Sequence, residues 1–244
     1  MLSNEIISTY QAILIEELQP AMGCTEPIAI AYASALMRDA LGDVPTSVEI
    51  ALSGNIIKNV KSVIVPATGG MHGIEAAVAA GIISGRFDKK LELLSVLGED
   101  DRITLRSYLK KTPIRVTELK SNCTFDLLVT GRCDESIARV QISGYHTNIV
   151  LAERNGKSVI ERYVQKEVLA ASTKNAANRS LLSVESIIEF ADATPLDELR
   201  PYLLRQIKMN MDIAEEGLRN PYGASIGQLL LGDGNVSIKD KARA

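Results

Sequence analysis

The amino-acid sequence predicts an α+β protein in which helices pack on an antiparallel meander sheet. Apolar residues recur at helical spacing through most of residues 1–112. Apolar and polar residues then alternate over 113–164, and helical spacing returns over 165–244. The expected organisation is a helix-rich α/β region, an antiparallel β region and a helical region, folded as one compact unit.

Each element has its own signal. Ser3 or Asn4 can cap a first helix whose apolar face is Ile6, Ile7, Tyr10, Ile13, Leu14 and Leu18, and Pro20 ends it. Thr25 suits an N-cap and Pro27 a first helical turn. Ile28 to Leu41 is apolar on nearly every side, so it reads as a buried helix stopped by Gly42. Val48, Ile50 and Leu52 alternate with polar or small residues as in a half-buried strand, which opens into a polar loop over 53–59. Val63 to Val65 is a short apolar run closed by Pro66, and 67–73 is a glycine-rich loop. Helical spacing follows from Ile74 to Gly85, where Gly81 and Gly85 permit close helix approach, and again near 89–97 and 100–110. The meander is carried by alternation around Ile114, Phe125, Ala138 and Ile149, with Asn155-Gly156 as a two-residue hairpin turn. Thr194-Pro195, with Asp197 three residues after Thr194, resembles a capped helix start, and Pro201 is expected to kink or split that helix. Leu204, Ile207, Met211, Ala214 and Leu218 then form a stripe that stops at Asn220-Pro221, and the last ten or so residues read as a solvated tail.

Composition excludes several classes of function. The 27 Lys and Arg against 30 Asp and Glu leave a formal charge of −3, so nothing offsets a phosphate backbone and no nucleic-acid partner is expected. Aromatic residues are only 4%, too few for base-stacking platforms. No apolar run reaches the roughly 18 residues of a membrane span, and Met1 to Tyr10 lacks the basic start of a secretory signal. A cytoplasmic protein with no membrane partner is therefore expected. Three cysteines (Cys24, Cys123 and Cys133) do not make a disulfide framework, and none forms a CxxC pair.

Chemistry is expected first at Cys24, just before a helix start, where unpaired N–H groups and the helix dipole favour a thiolate. The same residue also suits a small buried apolar position. Thr68 and Gly69 lie in a loop whose N–H groups could hold a substrate carboxylate, although an ordinary strand-to-helix turn has the same look. Ser53, Asn55, Lys58 and Asn59 follow a strand end and could orient an amino acid, or simply face water. His146, Thr147 and Asn148 place an imidazole, a hydroxyl and an amide between two strands. His146 could move protons or serve a hydrogen-bonding structural role. Zinc-protease, esterase and phosphate-loop motifs are absent from the sequence.

The strings Pro20-Ala21-Met22-Gly23-Cys24-Thr25-Glu26-Pro27, Ser53-Gly54-Asn55-Ile56-Ile57-Lys58-Asn59, Val65-Pro66-Ala67-Thr68-Gly69 and Gly144-Tyr145-His146-Thr147-Asn148-Ile149-Val150 occur in that order. Together they resemble the L-cysteine desulfidase family, related to the alpha chain of iron–sulfur L-serine dehydratases. The resemblance implies a lyase that eliminates sulfide from L-cysteine at a [4Fe–4S] cluster held by three cysteines, with Cys24 matching the first ligand. It also implies that this chain is the N-terminal part of a longer architecture, because the family's two further cluster cysteines and its Asp-Ala-Arg-Met-Gly-Gly string do not occur here. A small amino-acid substrate and a separate C-terminal chain or a homo-oligomer are the partners so implied. Substrate-binding roles are expected for Ser53, Asn55, Asn59, Thr68, Gly69, Thr147 and Asn148, with His146 as catalytic candidate on chemistry alone. An L-serine dehydratase-like lyase and a non-catalytic amino-acid-binding remnant are the alternatives. A generic thiol enzyme using Cys24 as nucleophile is the weakest reading, because no base is identified for it.

Overall fold

The computed structural model describes residues 2–164, 178–197, 199–232 and 237–241. The chain divides into two units, Pro20–Asn175 and Met1–Gln19 with Ala176–Ala244.

In the first unit, strand β1 (Ser47–Leu52) lies inside the sheet, second from one edge. The six-stranded sheet runs β2-β1-β3-β4-β5-β6, with β2 Ile114–Glu118, β3 Asp126–Cys133, β4 Ser136–Ser143, β5 Ile149–Arg154 and β6 Lys157–Ser158. From β3 to β6 the strands form the expected antiparallel meander. The expectation that β2 belongs to that meander is corrected: β2 pairs parallel to β1, with Ile50 opposite Val116, while β1 pairs antiparallel to β3, with Ile50 opposite Val129. Alternation reports which face of a strand is apolar, not which strand lies beside it. Asn155 (φ +50°) and Gly156 (φ +75°) make the β5–β6 turn, both in the left-handed region that this hairpin type requires.

The inner face of the sheet is Val48, Ile50, Leu52, Leu127, Val129, Val140 and Ile142, all buried. Against it lies α2 (Thr25–Leu41), apolar all round and closed by left-handed Gly42. Helix α4 (Ile74–Ser84) packs on α2 so closely that a Cβ on Gly81 would overlap the Ala31 carbonyl. Gly85 acts instead as the left-handed cap of α4, beside the Arg38 guanidinium. A 3₁₀ stretch (Phe87–Val96) and α5 (Glu99–Lys111) complete this layer. The outer face carries charge pairs such as Arg139–Glu153, at 2.9 Å across β4 and β5.

Two local expectations change. Cys24, not Thr25, is the N-cap residue of α2. The segment expected as a polar loop is helix α3 (Gly54–Val60), held by buried Ile56 and Val60 one turn apart.

In the second unit, α1 (Asn4–Glu17) is capped by Ser3, whose hydroxyl accepts from the Ile6 N–H. Tyr10 stacks edge-on against Phe190 of α6 (Val184–Ala193), with centroids 5.4 Å apart, and its hydroxyl donates to the Leu181 carbonyl at 2.8 Å. Arg179 pairs with Glu16 and Glu17. Thr194 closes α6 instead of opening a helix. Pro201 sits in the first turn of α7 (Arg200–Arg219), where its missing N–H costs nothing, so it starts that helix instead of splitting it. Short helices α8 (Ile226–Leu231) and α9 (Ile238–Lys241) follow. The rest of the expected solvated tail lies outside the described residues. Among the described residues no helix is long and apolar enough to cross a membrane.

Candidate functional site

The sheet gathers the sequence-singled residues at one of its ends. β1 runs toward Ser53, and β3, being antiparallel to it, begins there at Asp126. The Ser53 N–H donates to the Asp126 carbonyl and its hydroxyl to the Thr124 carbonyl, both at 2.8 Å. β4 ends at the same edge, where the Gly144 N–H donates to the Phe125 carbonyl at 2.9 Å. The start of α3 and the 144–148 loop are thereby fixed to one rim.

Around that rim stand a thiol, a carboxylate, an amide and an imidazole. The Cys24 thiol donates to Glu26 Oε2 at 3.1 Å, and the Asn59 amide of α3 donates to Glu26 Oε1 at 3.3 Å. His146 lies over Phe125, with ring centroids 4.4 Å apart. Desolvation opposes the charged form of Glu26. The Cys24 thiol, its own backbone N–H, Asn59 and the charge of His146 outweigh that and hold the carboxyl below the usual glutamate range. Cys24 moves the other way: desolvation, followed by the bond to Glu26 and its charge, raises the thiol above its ordinary value. The expected thiolate is therefore corrected to a protonated thiol that donates to a carboxylate. The helix dipole favours a negative sulfur, but a full negative charge at hydrogen-bond distance outweighs a partial positive one.

The remaining candidates divide by what already occupies their side chains. Ser53 is buried with its hydroxyl committed to Thr124. Thr68 is buried, donates to the Val65 carbonyl at 2.8 Å and accepts from the Met71 N–H at 3.2 Å, so it closes the glycine loop. The Asn148 amide donates to the Ser143 carbonyl at 2.8 Å, tying its own turn. Asn55 and Asn59 are exposed one turn apart on α3, and Thr147 is half-buried. Gly69 is exposed with φ +74°, and α5 brings Arg102 and Arg106 beside it; Arg102 Nε donates to the Ala67 carbonyl at 3.0 Å. Gly23 abuts Pro66, which sets the start of α2 against the glycine loop. Sequence reasoning missed Glu26, Arg102 and Arg106 as site residues. Only Glu26 carried a signal, as a carboxylate two residues after the cysteine in a first helical turn.

The chain's own donors do not by themselves build a three-cysteine cage. Cys24 opens α2, Cys123 donates to the Phe125 carbonyl at 3.3 Å, and Cys133 ends β3. Among the described residues no three His, Cys, Asp or Glu side chains come together as a metal site. On this chain Cys24 could supply one ligand to a cluster.

Comparison with known proteins gives a different name from the one the sequence motifs suggest. The chain is 44% identical over 236 residues to a UPF0597 protein of Desulfitobacterium hafniense, a match covering 97% of this chain and 54% of the relative. It is 40% identical over 222 residues to a UPF0597 protein of Treponema denticola (91% of this chain, 51% of the relative). It is 39% identical over 239 residues to one of Finegoldia magna (98% and 56%). The resemblance to the L-cysteine desulfidase family is corrected accordingly: these relatives carry the UPF0597 name, and they match nearly the whole of this chain. The chain spans about half the length of the curated relatives it matches. No protein-family model matches it. No solved structure matches it either.

Proposed function

We propose that this chain supplies the acid–base half of a carbon–sulfur lyase that removes sulfide from L-cysteine by α,β-elimination. The observation that carries the reading is the junction of Cys24, Glu26, Asn59 and His146 at one rim of the sheet.

The reaction needs a group that takes the Cα proton and returns one to the departing sulfur. His146 has the chemistry to do both near neutral pH. Glu26, held ionised, favours the imidazolium that forms, and Asn59 fixes the carboxylate. The Cα–H and Cβ–S bonds break and a Cα–Cβ double bond forms. The proton held on His146 passes to the leaving hydrosulfide, giving hydrogen sulfide. The aminoacrylate tautomerises to an imine, and water converts that to pyruvate and ammonia. The exposed Gly69 loop is flanked by Arg102, which pairs with Glu99 and bonds the Ala67 carbonyl, and by Arg106, whose positive charge faces the substrate carboxylate. A [4Fe–4S] cluster anchored in part by Cys24 would add Lewis-acid activation, with its other ligands from outside this chain's described residues. A reducing cytoplasm, which keeps thiols free, suits such a site.

The test combines this chain with the polypeptide that the Desulfitobacterium relative carries outside the match, anaerobically, with and without iron and sulfide. The expected result is equimolar sulfide and pyruvate from L-cysteine, reduced at least tenfold by His146→Ala with substrate binding retained. Calorimetric binding of L-cysteine without turnover would replace the lyase by an amino-acid-binding module. Pyruvate and ammonia from L-serine, with no sulfide from L-cysteine, would move the reaction to dehydration. The absence of both binding and turnover would overturn the proposal.

A further inference from the structure

Helix α7 carries the stripe Leu204, Ile207, Met211, Ala214 and Leu218, whose alternating spacing of three and four residues places all five on one side of the helix. The stripe runs about 21 Å at 1.5 Å per residue. None of the 20 residues of α7 is buried. Leu204, Ile207 and Met211 are 54%, 56% and 54% exposed. Beside the stripe, Lys208–Asp212 and Arg219–Glu215 pair one turn apart, and the side of α7 away from it exposes Tyr202, Met209 and Ile213 as well.

Spacing of this kind is the seam of helix–helix packing, so it specifies a helical occupant. The relatives show where one could come from. The 236 matched residues are 54% of the Desulfitobacterium protein, so about 200 of its residues lie outside the match. We infer that the α7 stripe is the docking surface for an apolar helix of that unmatched polypeptide, present in the same protein or as a separate chain. The inference does not depend on the lyase reading.

Co-expression of this chain with the unmatched polypeptide of the Desulfitobacterium relative tests it. A one-to-one complex in sedimentation is expected, with hydroxyl-radical oxidation of Met211 falling several-fold relative to the free chain. Ile207→Glu with Met211→Glu should abolish the complex while leaving the unfolding midpoint of the free chain unchanged, since both side chains face water there. Failure to form a complex overturns the inference, as does a complex indifferent to the two substitutions. A free chain that dimerises, and becomes monomeric on Ile207→Glu, also overturns it by giving the seam to a second copy. These readouts are association and oxidation, so they stand whether or not any sulfide is made.

Discussion

The Cys24 thiol donates to the Glu26 carboxylate across 3.1 Å, two residues further along the same helix start. The pair holds one proton between a sulfur that keeps it and a carboxyl that gives it up. A carboxylate in this place suppresses the nucleophilicity that the helix terminus would otherwise promote.

Glu26→Gln should therefore lower the Cys24 pKa, because it removes the negative charge while desolvation remains. Alkylation of Cys24 by iodoacetamide, followed peptide by peptide across a pH series, should shift to lower pH and run several-fold faster near neutrality. A profile that stays put would show that Glu26 does not control the thiol.

The packing of α2 against α4 on one side and β3 on the other separates two glycines, Gly81 and Gly131. A Cβ on Gly81 would strike the backbone carbonyl of Ala31, which cannot move alone, so Gly81→Ala should cost about 3 kcal/mol. A Cβ on Gly131 would strike the Met37 thioether, which can change rotamer, so Gly131→Ala should cost about 1 kcal/mol. Urea unfolding of the two variants should rank them in that order, and the reverse order would contradict this packing.

Alkaline stability follows from two phenols. Burial pushes Tyr32 up to about 12. Burial does the same for Tyr108, up to about 12, against smaller opposing effects of Thr112 and Arg38. Unfolded tyrosine ionises near pH 10. The folded state thus favours the neutral phenols, and their contribution is complete below about pH 10 and lost as pH rises through about 12. Urea midpoints should fall across that window, in step with tyrosinate absorbance, and Tyr108→Phe should flatten the fall. An unchanged slope in Tyr108→Phe would remove that residue from the effect.

Ser53 was a substrate-binding candidate on sequence, whereas its hydroxyl fastens the end of β1 to Thr124. Ser53→Ala should cost about 1 kcal/mol of stability. L-cysteine affinity, measured by calorimetry, should not change. A large loss of affinity at constant stability would return the hydroxyl to the binding site.

The sequence was most legible where a residue acts through its own backbone or period. Gly42 and Gly85 stop helices, Asn155-Gly156 turns a hairpin, and the alternation of Val48, Ile50 and Leu52 marks the inner face of a strand. It was least legible where the deciding partner is distant in the chain. α3 contains Gly, Asn and β-branched residues, poor helix formers, and exists because Ile56 and Val60 are buried. The parallel pairing of β2 with β1 leaves no local trace. At the candidate site, the motifs marked Cys24, Asn59 and His146, but the carboxylate that joins them passed as part of a helix start. Arg102 and Arg106 lie more than thirty residues beyond the Gly69 they flank.

The interior position of β1, between β2 and β3, also governs the order in which the chain can fold as it leaves the ribosome. β3 through β6 are successive hairpins that can zip locally once made. β1 emerges some seventy residues before its antiparallel neighbour, so its apolar face waits against α2 and α4 for the second border. The nascent chain thus carries an unfinished sheet edge throughout the synthesis of α4, α5 and β2, and that interval is when it is most open to mispairing or to chaperone capture.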